Sequence, residues 1–286
     1  MPRRDIVRES LIFIYSLILW LASGGQSLSG SPAYDDWDPH WAPMENLIAF
    51  VSNRDGDSEI FLTASLDSKA IQLTRNTASD LGPRWSPDGT QIVFYSSRAG
   101  NFEVYLMKAD GSNPRRLTEH PAIDWHPSWS PAGEILFESF RDGIPDLYLL
   151  NPHTGFLNRL THDLWREAFP VWSPRGDRIV FASNRDGGWD LYSIRPNGTD
   201  LRRLTENENI NWHPAWSPDG RRLALESYHG DESDLALIDP DGQHWTWVTA
   251  DVHRDAYPSW SPDSKKIVYA SQREGRWRLV VLALNP

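Results

Sequence analysis

Apolar positions in this chain come in short runs broken by turn formers. Ile92-Val93-Phe94-Tyr95-Ser96 and Ile179-Val180-Phe181-Ala182-Ser183 are dense in β-branched and aromatic residues. Val104-Tyr105-Leu106-Met107 and Leu191-Tyr192-Ser193-Ile194 follow them at matching distances. Runs this short, bounded by Gly, Pro and Asp, predict strands and not helices. The punctuation is equally regular. Ser86-Pro87-Asp88-Gly89 is a turn in which Pro presets φ and Gly suits the last position. Arg141-Asp142-Gly143 and Arg185-Asp186-Gly187 form a second turn, and Asp110-Gly111, Asn197-Gly198 and Asp241-Gly242 a third. Arg115 to Thr118 and Arg202 to Thr205 close the unit. Trp41, Trp85, Trp129, Trp172, Trp216 and Trp260 recur every 43 or 44 residues, each followed by Ser or Ala and then Pro. Four strands in such a period make a propeller blade. A lone blade cannot cover its two faces, whereas stacking blades radially buries both and ring closure removes the long edges. The chain is therefore predicted to be all-β, a six-bladed β-propeller of four-stranded antiparallel blades.

The six copies of the repeat over residues 26–286, with Trp-Ser-Pro-Asp-Gly complete in blades two and five, resemble the TolB-like propeller family with its PD40 repeat. The resemblance implies the propeller fold. It leaves function open, because one fold hosts many sites. TolB proteins place an α/β domain before the propeller, and no such segment is expected between the N-terminal apolar run and the first blade here. Blade six has only three strands before Pro286. Spacing makes Gly25-Gln26-Ser27-Leu28-Ser29 the missing fourth, with residues 25–30 pairing to residues 279–284.

The first residues change the picture of where the protein works. Arg3, Arg4 and Arg8 precede an apolar run from Leu11 to Ala22, and Ala22-Ser23-Gly24 offers small residues for cleavage. That order describes a secretory signal. The run is short of the about 20 residues a span requires, although an uncleaved anchor is the alternative. The organisation read from sequence is a signal peptide over 1–24 and a propeller over 25–286, in a periplasmic or extracellular protein with no stable membrane span after cleavage. Cysteine is absent, which removes disulfides, thiolate metal sites, a Cys nucleophile and a lipoprotein anchor. The net charge of −11 repels phosphate backbones, so nucleic acid is not an expected partner. A monomer is expected.

Candidate chemistry falls on repeated positions. Three residues before each repeat Pro stand Asp36, Asp80, Asp124, Glu167, Asn211 and Asp255. At the end of each second strand stand Arg54, Arg98, Arg141, Arg185, His229 and Arg273. The hairpin geometry sets acid opposite Arg at one rim. The one blade lacking the acid also lacks the Arg, as paired charges require. Such pairs should lower the carboxylate pKa values, so that stability falls on acidification. Trp37, Trp125 and Trp212 adjoin this ring in alternate blades, with His126 and His213 beside two of them. These residues form the expected binding rim at a tunnel mouth, with structural Arg–carboxylate pairing and packing of Trp between blades as the plainer alternatives. Exposed Trp next to carboxylates suits sugars or cationic side chains. His40, His126 and His213 occupy related repeat positions, which leaves an axial metal as a geometric option. The chain carries no His-Glu-x-x-His and no Gly-x-Ser-x-Gly. No catalytic residue, metal or cofactor is assigned. The sequence favours a binding module that engages a protein or peptide over two alternatives: a small carbohydrate-active or metal-assisted lyase or hydrolase, and a structural surface protein.

Overall fold

A computed structural model describes residues 33–284. Six antiparallel sheets follow one another along the chain. Blade two shows the plan, with strands Asp80–Trp85, Gln91–Ser96, Glu103–Lys108 and Arg115–Arg116 in sequential order. Five sheets have four strands, and the last has three among the described residues. The segment expected to be a signal and the residues expected to complete blade six from the N-terminal side lie outside the described residues.

The first strands are innermost. They run Asp36–Trp41, Asp80–Trp85, Asp124–Trp129, Glu167–Trp172, Ile210–Trp216 and Arg254–Trp260. Each touches the first strands of both neighbouring blades, and that of blade one touches that of blade six, so the ring is closed. The seam is held by side chains. Asp35 Oδ1 accepts the Trp277 backbone N–H at 2.9 Å, and its Oδ2 meets Arg276 at 3.1 Å. Second and third strands carry the core. Phe94, Phe137, Phe181 and Tyr192 are buried where neighbouring blades pack face to face. The repeat Trp residues cap these interfaces at the end where first strands turn. Trp129 and Trp260 donate their indole N–H to Arg84 and Ala215 carbonyls of the preceding blade, both at 3.1 Å.

Every first strand carries a bulge at the same place. The residue before the repeat Pro is left-handed in all six blades, with φ between 46° and 63°: Asp38, Gly82, His126, Phe169, His213 and Tyr257. Five of these are not glycine, so each carries backbone strain that the surrounding sheet holds in place. The bulge lets the strand keep pairing on both sides of it and re-aims one side chain per blade.

Candidate functional site

The re-aimed side chains meet around the axis. His126 lies against Phe169 with ring centroids 4.3 Å apart, Phe169 against His213 at 4.0 Å, and His213 against Tyr257 at 4.4 Å. Gly82 has no side chain to contribute. Tyr95 fills its place, and a Cβ on Gly82 would sit 2.3 Å from the Tyr95 ring. Tyr95 then meets His126 at 5.4 Å. Asp38, His126, Phe169, His213 and Tyr257 line the deep end of an axial cavity of about 390 Å³. Its outer wall is the ring of repeat Trp residues and the turn prolines Pro43, Pro87, Pro131, Pro174, Pro218 and Pro262. The cavity is thus aromatic and apolar, with few polar groups.

Those polar groups are tied down. Asp38 pairs with Arg84 at 2.9 Å. His40 Nδ1 accepts the Trp85 N–H at 3.3 Å, and burial with the Arg84 charge lowers its pKa to about 3. His40 is therefore a neutral acceptor. His126 Nδ1 meets Glu138 at 2.9 Å, and His213 Nδ1 meets Glu226 at 2.6 Å. Both glutamates are buried on second strands, at a position that is apolar in the other blades. The two imidazoles keep 19% and 13% exposure within the cavity. Among the described residues no cluster of three or more His, Asp or Glu is placed to hold a metal.

The other sequence-predicted residues lie elsewhere. Asp80, Asp124, Glu167, Asn211 and Asp255 have no exposure at all. They sit between blades and present no atom to solvent, unlike the rim pictured from sequence. The hairpin pairs do form in blades one to four: Arg54–Asp36 at 2.7 Å, Arg98–Asp80 at 2.6 Å, Arg141–Asp124 at 2.8 Å and Arg185–Glu167 at 2.6 Å. Each Arg also lies over an aromatic ring, for example Arg98 over Tyr105 at 4.9 Å. In blade six Arg273 bonds to Ser271 instead, and neither Asp255 oxygen has a hydrogen-bond partner. Trp37, Trp125 and Trp212 pack between blades, against Trp277, Phe102 and Trp189 of the preceding blade. Of the residues predicted to form the rim, His126 and His213 alone line the axial cavity, and His40, considered for an axial metal, lines it too.

A second acid ring was missed. Glu59, Glu103, Asp146 and Asp190 open their third strands, Asp234 stands two residues into the third strand of blade five, and all are buried. Each binds the outer-strand Thr of its own blade or its neighbours, as with Thr118 to Glu103 at 2.5 Å and Thr205 to Asp190 at 2.7 Å. Arg116, Arg159 and Arg203 pair with three of them, each at 2.7 Å. Each stands at a constant offset of 21 residues before the first-strand acid of the next blade, a signal the sequence did contain. Two buried acids therefore face each other across blade interfaces. Asn76 bridges Glu59 and Asp80. Asn211 Nδ2 donates to Asp190 at 3.3 Å, which explains why blade five has an amide and needs no Arg opposite it. His229 turns to Asp234 at 2.9 Å, where Trp247 stands in place of the outer-strand Arg of blades two to four.

The electrostatic expectation is overturned at Asp124 and Glu167. Burial outweighs the arginines. It pushes the Glu167 carboxyl up to about 8, with Asp163 and Asp146 adding to the rise against Thr161 and Arg185. Burial likewise raises Glu59 to about 7, Asp255 to about 6, and Asp124 and Asp146 above their usual range. Such groups bind protons more tightly folded than unfolded, so the contribution of each to stability declines as pH rises from about 4 toward 8.

The TolB beta propeller domain model (PD40) matches residues 14–134 and 206–285, over half of the chain. No curated protein matches by sequence. Among solved structures, TolB from Acinetobacter baumannii superposes with a TM-score of 0.72 at 22% identity, over 94% of this chain and 64% of that one. A TolB-type protein from Agrobacterium tumefaciens gives 0.69 at 23% identity, over 88% and 91%. An oligogalacturonate lyase in complex with manganese gives 0.63 at 15% identity, over 89% and 92%. The chain spans 64% of the length of the Acinetobacter protein. At these identities the superpositions establish the fold, and with the repeat match they place the chain in the TolB β-propeller (PD40) family.

Proposed function

We propose that the protein is an exported binding module that takes a segment of a protein partner into the axial cavity, through the mouth formed by the first-strand turns. The observation that carries this reading is the cavity itself. It holds about 390 Å³ behind six Trp and six turn prolines, in a chain of otherwise acidic surface. A preformed concave site lined by aromatic rings, with a few fixed polar groups at its floor, is what a recognition site needs. Rigid Pro and Trp bind at low entropic cost because few rotors are frozen. The leader-like order of basic, apolar and small residues at the N-terminus supports a partner in the periplasm or outside the cell. Val171→Trp places an indole in the cavity wall. Partner retention from an envelope fraction is then expected to fall to background while the fold, judged by circular dichroism, is kept. Retention equal to wild type contradicts the proposal.

A second reading rests on the His126–Glu138 and His213–Glu226 pairs. A carboxylate on Nδ1 orients an imidazole for proton transfer or metal binding through Nε2. This keeps a lyase or hydrolase reading open. It predicts that Glu138→Gln and Glu226→Gln abolish turnover of an oligosaccharide substrate without affecting partner retention.

A further inference from the structure

Beside the axial mouth lies a second cavity of about 210 Å³, between blades four and five. Its wall contains Arg175, Arg178 and Arg202. We propose that this cleft is an anion subsite that receives an acidic side chain of the partner segment, resting on the reading of the axial cavity as the partner site.

Three features carry it. First, the arginines are under-supplied with acceptors. Arg178, Arg195 and Arg202 all converge on the single carboxylate of Asp200, Arg202 at 2.8 Å and Arg195 at 3.3 Å. Three guanidiniums offer many more N–H donors than one carboxylate can accept. Arg175 is exposed and only loosely placed on Asp177, at 3.8 Å. The other carboxylates of the cleft are engaged locally: Asp177 accepts the Ser173 hydroxyl at 2.8 Å, and Asp241 caps the Gln243 N–H at 3.2 Å. Second, the sequence departs from its own repeat here. The turn carries Asp88, Asp219 and Asp263 in blades two, five and six, but Arg175 in blade four. Blades one and three carry Met44 and Ala132 there, so Arg175 is the one cation at this turn position, and the acid that takes the turn Ser in blade four is Asp177. Third, the cleft is continuous with the axial cavity, because Ser173, Pro174 and Trp216 line both. An apolar segment in the axis that carries an Asp or Glu nearby would set its carboxylate on the guanidiniums, where forked N–H donors match it. On a protein of net charge −11, a cleft whose lining holds three arginines against two aspartates also selects the register in which an acidic partner docks.

The test uses a fluorescein-labelled hexaglutamate peptide as probe and a hexaglutamine peptide as control. Anisotropy is read at physiological ionic strength, where a Debye length of about 8 Å screens the repulsion of the distant surface. Wild type is expected to bind hexaglutamate saturably and hexaglutamine not at all. Arg175→Asp, which gives the turn the residue found in blades two, five and six and so preserves folding, is expected to weaken binding at least about tenfold, since a charge-assisted hydrogen bond to carboxylate is lost and a repulsion added. Arg202→Gln should weaken it too, and Lys69→Gln on the far blade should not. Val171→Trp should leave probe binding intact, which separates this subsite from the axial reading. Binding to wild type that Arg175→Asp and Arg202→Gln leave unchanged, or no saturable binding to wild type, overturns the proposal.

Discussion

Replacing Glu167 by Gln stabilises this protein at slightly alkaline pH, although it removes the carboxylate from an Arg contact of 2.6 Å. The argument rests on which charge state is folded. Glu167 has no exposure, and its pKa rises from 4.5 to about 8. In the unfolded chain it ionises near 4.5, so folding must either reprotonate it or bury its charge. The linked cost is about 1 kcal/mol at pH 5 and about 4 kcal/mol at pH 8. A glutamine is the neutral isostere at every pH. It keeps an oxygen for Arg185, which retains Asp163 at 3.0 Å. The variant's advantage should therefore grow by roughly 3 kcal/mol between pH 5 and pH 8. In a propeller of this size that is a gain of roughly 6–12 °C in Tm, at about 2–4 °C per kcal/mol. Differential scanning calorimetry of both proteins in matched buffers measures it. If Arg185 and Glu167 were instead an ionised pair, the variant would lose about 3–5 kcal/mol at pH 8 by stranding a partly buried guanidinium. A Tm for Glu167→Gln that drops below wild type at pH 8 refutes the reasoning.

Other consequences are equally direct. Gly82→Ala should cost at least about 2 kcal/mol, because the left-handed φ of 63° penalises a side chain and its Cβ would overlap the Tyr95 ring; an unchanged thermal melt counts against the tight axial packing. A double-mutant cycle of His229→Ala with Asp234→Ala should show coupling of about 0.5–3 kcal/mol, while His229→Ala with Asn211→Ala should be additive within about 0.5 kcal/mol; the reverse pattern would restore the hairpin pairing read from sequence. N-terminal sequencing of exported protein should find a new terminus near residues 22–27, and a chain still beginning at Met1 in the cytoplasm contradicts the export reading.

The fold was legible because it is written six times. Trp85 and its equivalents, the Pro-Asp-Gly turn and the period leave one closed architecture, and even the acid–Arg hairpin pairs of blades one to four follow from strand register. The site was less legible because it lies where the repeat departs from itself. His126, Phe169, His213 and Tyr257 share one position with Asp38 and Gly82, and no composition rule says that this position is a bulge aimed at the axis. Burial was the other blind spot. Asp80 and Glu167 look like surface charges in sequence, and only the packing of one blade on the next shows them facing Glu59 and Asp146 in a dry interface. Asn211 then makes sense as an amide answering Asp190, a long-range fact that the hairpin alone could not supply.

Photo-crosslinking from inside the axial cavity tests the central claim most directly. A benzophenone amino acid placed at Val171, which lines the cavity, is compared with the same group at Lys69 on the exposed face of blade one. The account predicts that the cavity position yields a single crosslinked partner, mapped by mass spectrometry to one short apolar segment, and that the surface position yields none. No adduct from position 171, or the same adducts from both positions, contradicts the axial cavity as the binding site.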